Sequence, residues 1–441
     1  MRISFTFDSM SLFRHSSRCA ISIFIFSVAC CTLHAQQPAP TVPNTPSPSE
    51  QKTEEQKPLQ DVEPKLAEKP DTTVWIPIDP ASQPTPDDVI VFAAVGDTML
   101  GSTFPDTSGK SLPPEDGAQL LDEVAPVLRA ADLAFGNLEG PLYDGKEPSY
   151  KCARKAVNSC YAFRVPTRYA KLLRDAGYRV MGTANNHGND FGPVGLASSA
   201  KALDEAGIVH AGAPGSVARM LVKGKKIALI AFTTYPNFND FLDLENARTM
   251  VEDAAKEGDI VIVSFHGGAE GADRQHVLSG DEKFLGEDRG DLRKFSHAMI
   301  DAGASVVIGH GPHVVRGMEI YKDHLISYSL GNFATYGHIN LRGVNGLSLV
   351  LEVHLAMDGK FIGGKAHPVY QVYPGGPHLD PEGKVLDVLR SLSKSDFGKN
   401  AVVVQKDGEL IAPDESNMFE EKTEPTSSKQ HTKLKKRNTN K

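Results

Sequence analysis

Between residues 89 and 316 the chain alternates apolar runs with stretches of helical period, and the main apolar runs end on side chains able to ligate a cation. The runs are VIVFAAV before Gly96-Asp97, LAFG before Asn137-Leu138-Glu139, YRVMGTA before Asn185-Asn186-His187, IVIVSF before His266, and SVVIG before His310, with His313 three residues on. Between them lie AQLLDEVAPVLRAADL, PTRYAKLLRDAG, PVGLASSAKALDEAG, VEDAAKEG and DLRKFSHAMIDAG, which read as helices. Repeated strand and helix alternation specifies an α/β architecture. In open sheets of this kind ligands bind beyond the carboxyl ends of the strands, so strand ends carrying Asp, Glu, Asn or His are expected to converge on one crevice.

Each element has a plainer reading when taken alone. An Asp after a strand often caps a turn or helix, and paired Asn residues such as Asn185-Asn186 tolerate left-handed backbone. A lone His beside a strand is usually a hydrogen-bonded structural residue, and Pro312 makes GHGPH a natural turn. The recurrence of donors at successive strand ends selects a cation site over unrelated caps. Carboxylate and amide oxygens mixed with imidazole nitrogens suit Mn, Fe or Zn, as one ion or as two bridged by a carboxylate, and they lack the thiolates of a structural zinc site.

From Gly317 onward strands follow one another without helices: RGMEIY, HLISYSLGNF, GLSLVLEVHLA and GKAHPVYQVYP, with a hairpin turn at Asp358-Gly359. They are expected to build a second sheet, followed by one late helix around PEGKVLDVLRSLSKS, so that residues 89–413 form a single domain. Ahead of it, Arg2, Arg14 and Arg18 precede an apolar stretch from Cys19 to Leu33 ending at Ala35, which reads as a secretory signal over residues 1–35. A lipoprotein-type box at Ser27-Val28-Ala29-Cys30 and an uncleaved anchor are the alternatives. Residues 36–88 and 414–441 hold too few large apolar side chains to offset ordering entropy, and are expected to be a disordered proline-rich linker and a polar, basic tail. Export leaves Cys152 and Cys160 as the cysteines of the mature domain, expected to pair in an oxidising compartment and restrain Lys151 to Tyr161. A net charge of -8 argues against a general nucleic-acid binder, whose phosphate contacts need a basic surface.

The motifs GDTMLG, GNLEGPL, ANNHGNDFG, FHGGAE, GHGPHV and SLGNF stand in the order found in the CapA/PgsA family of bacterial capsule and poly-gamma-glutamate synthesis proteins, which the chain resembles over residues 90–375. That family is similar to the calcineurin-like metallophosphoesterases, so the resemblance implies a metallophosphatase fold, a two-sheet β-sandwich flanked by helices on both sides. Carried over residue by residue, it implies Asp97 as a ligand of a first metal, Glu139 as the bridging carboxylate, Asn186 and His266 on a second metal, and His310 and His313 one on each ion. His187 becomes the general acid. Metallophosphoesterases usually carry a His two residues after the first Asp, where this chain has Met99, and usually bridge with Asp where it has Glu139. Their final motif has one residue between its donors where this chain has two, and Gly267 stands where the CapA resemblance commonly has an aromatic residue. Outside these positions, Glu270 reads either as a partner orienting His266 or as a helix cap, and Asn332 as a residue shaping the pocket. Arg154 and Arg164 read either as a clamp for an anionic substrate or as ordinary surface arginines.

The resemblance implies an exported metal-dependent hydrolase in the synthesis, release or anchoring of an anionic surface polymer such as poly-gamma-glutamate, in the periplasm or at the cell surface beside the polymer-synthesis machinery. Two other classes stay open. A non-catalytic polymer-binding or export component is favoured by Met99, and an ordinary metallophosphoesterase by the order of the ligands.

Overall fold

The computed structural model describes residues 74–153, 160–337 and 339–413. The expected signal segment, most of the expected linker, Arg154 and the basic tail lie outside the described residues.

Alternation within the strands decides the architecture. In Val89–Met99, Ile90, Phe92 and Ala94 enter a core shared with Ile227, Leu229, Ile260, Ile262, Val306 and Ile308. Val91, Ala93 and Val95 point the other way, against Leu128, Tyr169, Leu173 and Leu203 of the helices Ala125–Ala130, Tyr169–Ala176 and Gly192–Glu205. On the second sheet, Ala228, Ile230, Val261, Val263 and Val307 leave the shared core and meet Val251, Phe295 and Met299 of the helices Leu244–Glu257 and Leu292–Asp301. Strands apolar on both faces need cover on both. The layers are helix, sheet, sheet and helix, the two-sheet sandwich that the resemblance implied. Each Leu, Ile or Phe buried between them contributes about 1.5–3 kcal/mol.

One sheet runs from Val403–Val404 and Glu409–Ile411 through Phe361–Tyr370, Leu347–Ala356, Val89–Met99, Leu133–Leu138 and Val180–Gly182 to Val209–Ala211. From Val89–Met99 onward its neighbours are parallel. The other sheet runs through Ile76–Pro77, Ala218–Val222, Lys225–Thr233, Ile260–His266, Val306–His310, His324–Ser327 and Met318–Tyr321, with Lys225–Thr233, Ile260–His266 and Val306–His310 parallel.

Several expectations are revised. RGMEIY and HLISYS do not open a second sheet: Met318–Tyr321 pairs with His324–Ser327, which lies parallel to the strand ending at His310. The hairpin of Leu347–Ala356 and Phe361–Tyr370 crosses over, placing Leu347–Ala356 antiparallel to Val89–Met99, and Asn332–Thr335 of SLGNF joins the same sheet parallel to Val89–Met99. The sheets are interleaved along the chain. The helix expected across AQLLDEVAPVLRAADL is confined to Ala125–Ala130, because Pro126 is tolerated only in a first helical turn and so fixes where the helix begins. Ile76–Pro77, inside the stretch expected to be linker, pairs with Met220 and Leu221, which moves the start of the packed domain upstream of residue 89. Among the described residues no helix is long and apolar enough to cross a membrane.

Candidate metal centre

The strand ends meet on the seam between the two sheets. Asp97, Asn137 and Glu139 arrive from one sheet with the turn at residues 185–187, and His266 and His313 arrive from the other. Gly96 makes the first approach possible. A Cβ there would stand 2.0 Å from the carbonyl oxygen of Gly331, and that same oxygen accepts the Asp97 backbone N–H at 2.9 Å. The SLGNF segment therefore lies directly across the strand end and aims Asp97. His313 has φ of 57°, a left-handed conformation that costs a residue with a side chain about 1–2 kcal/mol. Asn332 holds this turn by donating from Nδ2 to the His313 carbonyl at 3.1 Å.

His313 Nδ1 lies 3.0 Å from Asp97 Oδ2, and its Nε2 lies 3.5 Å from Glu139 Oε1. Donor atoms of Asp97, Glu139 and His313 all fall within 4.8 Å of one another. His266 completes the group, with Nδ1 3.8 Å from Asp97 Oδ1 and Nε2 4.0 Å from Glu139 Oε1. Asn137, named at a strand end but given no role of its own, donates from Nδ2 to Asp97 Oδ1 at 2.8 Å and accepts from Asn185 Nδ2 at 3.1 Å. Asn185 Oδ1 in turn accepts the backbone N–H groups of His187 and Gly188, so this residue shapes the turn and is no donor to the site.

The donor set fits a divalent cation. Glu139 Oε1 and His266 Nε2 are buried without a hydrogen-bond partner, Asp97 Oδ2 and His313 Nδ1 meet only one another at 3.0 Å, and Asn186 Oδ1 on the turn at residues 185–187 is likewise buried and unpartnered. Leaving a buried polar atom unpaired costs about 1–3 kcal/mol, so a cluster of them signals a ligand. The charges agree. Burial pushes the Glu139 carboxyl up to about 8, with Asp97 and Glu270 adding to it against the opposing charge of His313. Burial alone would lower His313, but the Glu139 and Asp97 carboxylates outweigh it and raise the ring to about 10. Burial would likewise raise Asp97, yet His313 beside it holds the carboxyl below the usual range. Buried carboxylates here draw positive charge to one point. His266 is held well below its usual value, chiefly by burial, and keeps a lone pair free.

His310 does not join them. Its Nε2 is 2.9 Å from the carbonyl oxygen of Val95 and its Nδ1 is 3.4 Å from Ser264 Oγ, so both ring nitrogens face other groups. The expected ligand is a strut between the two sheets. Glu270 also differs from expectation: Arg289 donates to its Oε1 at 2.8 Å, and its Oε2 approaches His313 at 3.9 Å, so it partners His313 where His266 was expected. Arg164 is no exposed clamp. Its guanidinium lies 4.8 Å from the Phe191 ring centroid, with Nε near Thr103 Oγ1 and Nη1 near the Glu147 carbonyl. Cys152 and Cys160 form the expected disulfide. His187, buried beside the cluster, has its Nδ1 2.8 Å from Asp190 Oδ2. Asp190 was missed in the sequence, although its position three residues after a His on a turn is the readable signal. Lys151, with Nζ 3.3 Å from His187 Nδ1, carries no such signal.

The family described as bacterial capsule synthesis protein PGA_cap matches residues 91–336, a span that holds every donor of the cluster. The chain belongs to this capsule-synthesis family. Among relatives, the PGA biosynthesis protein CapA of Bacillus subtilis (strain 168) is 30% identical over 292 residues, covering 62% of this chain and 70% of that protein. The capsule biosynthesis protein CapA of Bacillus anthracis is 26% identical over 346 residues, covering 73% of this chain and 77% of that protein. Among solved structures, a 5'-nucleotidase precursor from Thermus thermophilus is similar at 16% identity and a TM-score of 0.36, over 66% of this chain and 56% of the other. At that overlap the likeness carries no functional weight.

Proposed function

We propose that this family member is an exported, metal-dependent hydrolase acting on an anionic surface polymer during its synthesis, release or anchoring, in the periplasm or at the cell surface. The observation that carries the reading is the buried convergence of Asp97, Glu139, His266 and His313, with Glu139 Oε1 and His266 Nε2 lacking a hydrogen-bond partner, near the His187–Asp190 pair. These side chains, with Asn186 as a further oxygen donor, would hold one or two ions of Mn, Fe or Zn. Such an ion, when bound, polarises the bond under attack and acidifies a water molecule.

The chain's own residues do the rest. Asn137 engages Asp97 Oδ1 and so leaves Oδ2 turned to the site. Asp190 fixes the Nδ1 side of His187, which leaves Nε2 to pass a proton to the leaving group. Burial holds His187 below its usual value, against the pull of Asp190. A polyanion bound beside it adds negative charge and favours the protonated ring. The polymer class is supported by the names of the relatives, a PGA biosynthesis protein and a capsule biosynthesis protein. Poly-gamma-glutamate and the synthesis machinery at the membrane are the partners this reading takes.

Elemental analysis of the purified protein is the deciding measurement, followed by assay of the Mn- and Zn-loaded protein on poly-gamma-glutamate and on a phosphodiester reporter. Shortened polymer supports the reading. A folded protein that takes up none of Mn, Fe or Zn sinks it. Met99, 2% exposed and a poor ligand for a hard cation, favours a second reading in which the centre grips polymer carboxylates without cleaving. Polymer binding with no cleavage of either substrate would select it, and cleavage of the reporter alone would select an ordinary metallophosphoesterase.

A further inference from the structure

A histidine on a turn is not held by the turn alone, and Ser149, Lys151 and Phe163 supply what is missing. Asp190, whose side chain is fully buried, is gripped from two sides by these residues. On one arm, Ser149 Oγ donates to the Asp190 carbonyl at 2.9 Å and the Lys151 backbone N–H donates to the same oxygen at 3.2 Å. On the other arm, the Phe163 backbone N–H donates to Asp190 Oδ2 at 2.7 Å, the oxygen that also meets His187. The Phe163 ring lies against the His187 imidazole with centroids 4.5 Å apart. Lys151 Nζ donates to the Asn186 carbonyl at 3.0 Å and stands 3.4 Å from Asp190 Oδ1, so one ammonium joins the residues before and after His187. The Cys152–Cys160 disulfide ties the two arms together beside these contacts.

We infer that Lys151 and the Cys152–Cys160 disulfide form a positioning brace for the His187–Asp190 pair, so that the oxidised chain is the one in which the proton-passing imidazole is fixed. The inference rests on the reading of His187 as proton donor for its catalytic meaning, while the brace itself is a statement about the order of residues 186–192. Neither Lys151 nor the disulfide touches the proton-passing Nε2: Lys151 meets the ring only on its Nδ1 side, at 3.3 Å, and both act on it by holding Asp190 and the turn. With the bridge open, the arms are joined only by the intervening chain, and the hydrogen bonds they make to Asp190 no longer support one another.

The experiment compares the full oxidised protein, the same folded protein reduced with a phosphine, a Cys152→Ser/Cys160→Ser double variant, Lys151→Met and Lys151→Arg. Reducing protein that is already folded keeps the test valid should the double variant fail to fold. Three quantities are read: hydrogen exchange across residues 186–192, metal per chain, and kcat and KM on the phosphodiester reporter or the polymer. Opening the bridge is expected to speed exchange over residues 186–192 by about tenfold, with residues 306–313 and the metal content unchanged. It is expected to lower kcat by about tenfold with KM within about twofold. Lys151→Met should reproduce much of this loss and Lys151→Arg should recover at least half of it. Unchanged exchange over residues 186–192 in the reduced protein would overturn the brace, as would a Lys151→Met variant with the exchange and kcat of the parent. If the oxidised protein turns over neither substrate while the exchange contrast is present, the hydrolase reading fails and the brace stands.

Discussion

Replacing His310 by alanine tests how the centre is built. The ring is 1% exposed, its Nε2 lies 2.9 Å from the Val95 carbonyl, its Nδ1 lies 3.4 Å from Ser264 Oγ, and it meets the Phe135 ring edge-on at 5.7 Å. A carbonyl can only accept, so Nε2 carries the proton and Nδ1 faces the serine hydroxyl as acceptor. Truncation leaves a carbonyl and a hydroxyl buried without partners, at about 1–3 kcal/mol each, and opens a cavity between the sheets. A total loss of about 3–6 kcal/mol follows, which lowers Tm by roughly 4–9 °C in a domain of this size. Metal bound per folded chain should stay at the parent level, since neither nitrogen faces the cluster. The assay pairs urea denaturation with elemental analysis of the folded fraction. A variant that keeps its stability and loses its metal would refute the reasoning and restore His310 as a ligand.

Other outcomes follow from the same geometry. His187→Ala is expected to keep bound metal and lose about 10²–10⁴-fold in turnover, whereas His266→Ala and Asp97→Asn lose metal; elemental analysis with initial rates separates the two effects. Arg316, fully buried, donates from both terminal nitrogens to Glu282 and from Nη2 to the Ala269 carbonyl, so Arg316→Met should cost about 3–5 kcal/mol in urea denaturation and weaken metal uptake by loosening the Glu270 loop, and parent-like stability would count against it. Hydrogen bonds from His354 and His367 lower Glu352 from 4.5 to about 2. A carboxylate depressed on folding stabilises above its unfolded value and loses that contribution as pH falls, so about 1–2 kcal/mol, after allowing for solvent screening, should disappear between pH 4.5 and 2. Glu352→Gln should flatten that fall, and urea midpoints with the same pH slope as the parent would contradict it.

Much of the centre was legible because a parallel strand covered on both faces is a nearly continuous apolar run, and its end is marked where the run stops. Asp97, Glu139, His266 and His313 were found on that ground. The direction of a ring was not legible. His310 and His313 are three residues apart on one turn, and their roles are separated by the left-handed backbone at His313 and by a contact from His310 to Val95, 215 residues away. The role of Asn137, and Lys151 altogether, escaped for a related reason: each acts through a partner that is remote in the chain, and neither residue type marks a site alone. The pattern over residues 318–327 correctly gave strands, but period-two alternation does not say which sheet a strand joins, and their partner proved to be the strand ending at His310.

The carboxylates reach the seam from one sheet and the imidazoles of His266 and His313 from the other. An ion held there would stitch the layers together, and creep of one layer past its neighbour by a single residue, about 3.3 Å, would pull the two halves of its shell apart. Side chains such as Phe92, Phe135 and Ile262, deep between the layers, set that alignment without approaching the ion. If the proposed ion is bound, its affinity would gauge how tightly the two halves are pressed together, and distant changes in their shared interior should register in it.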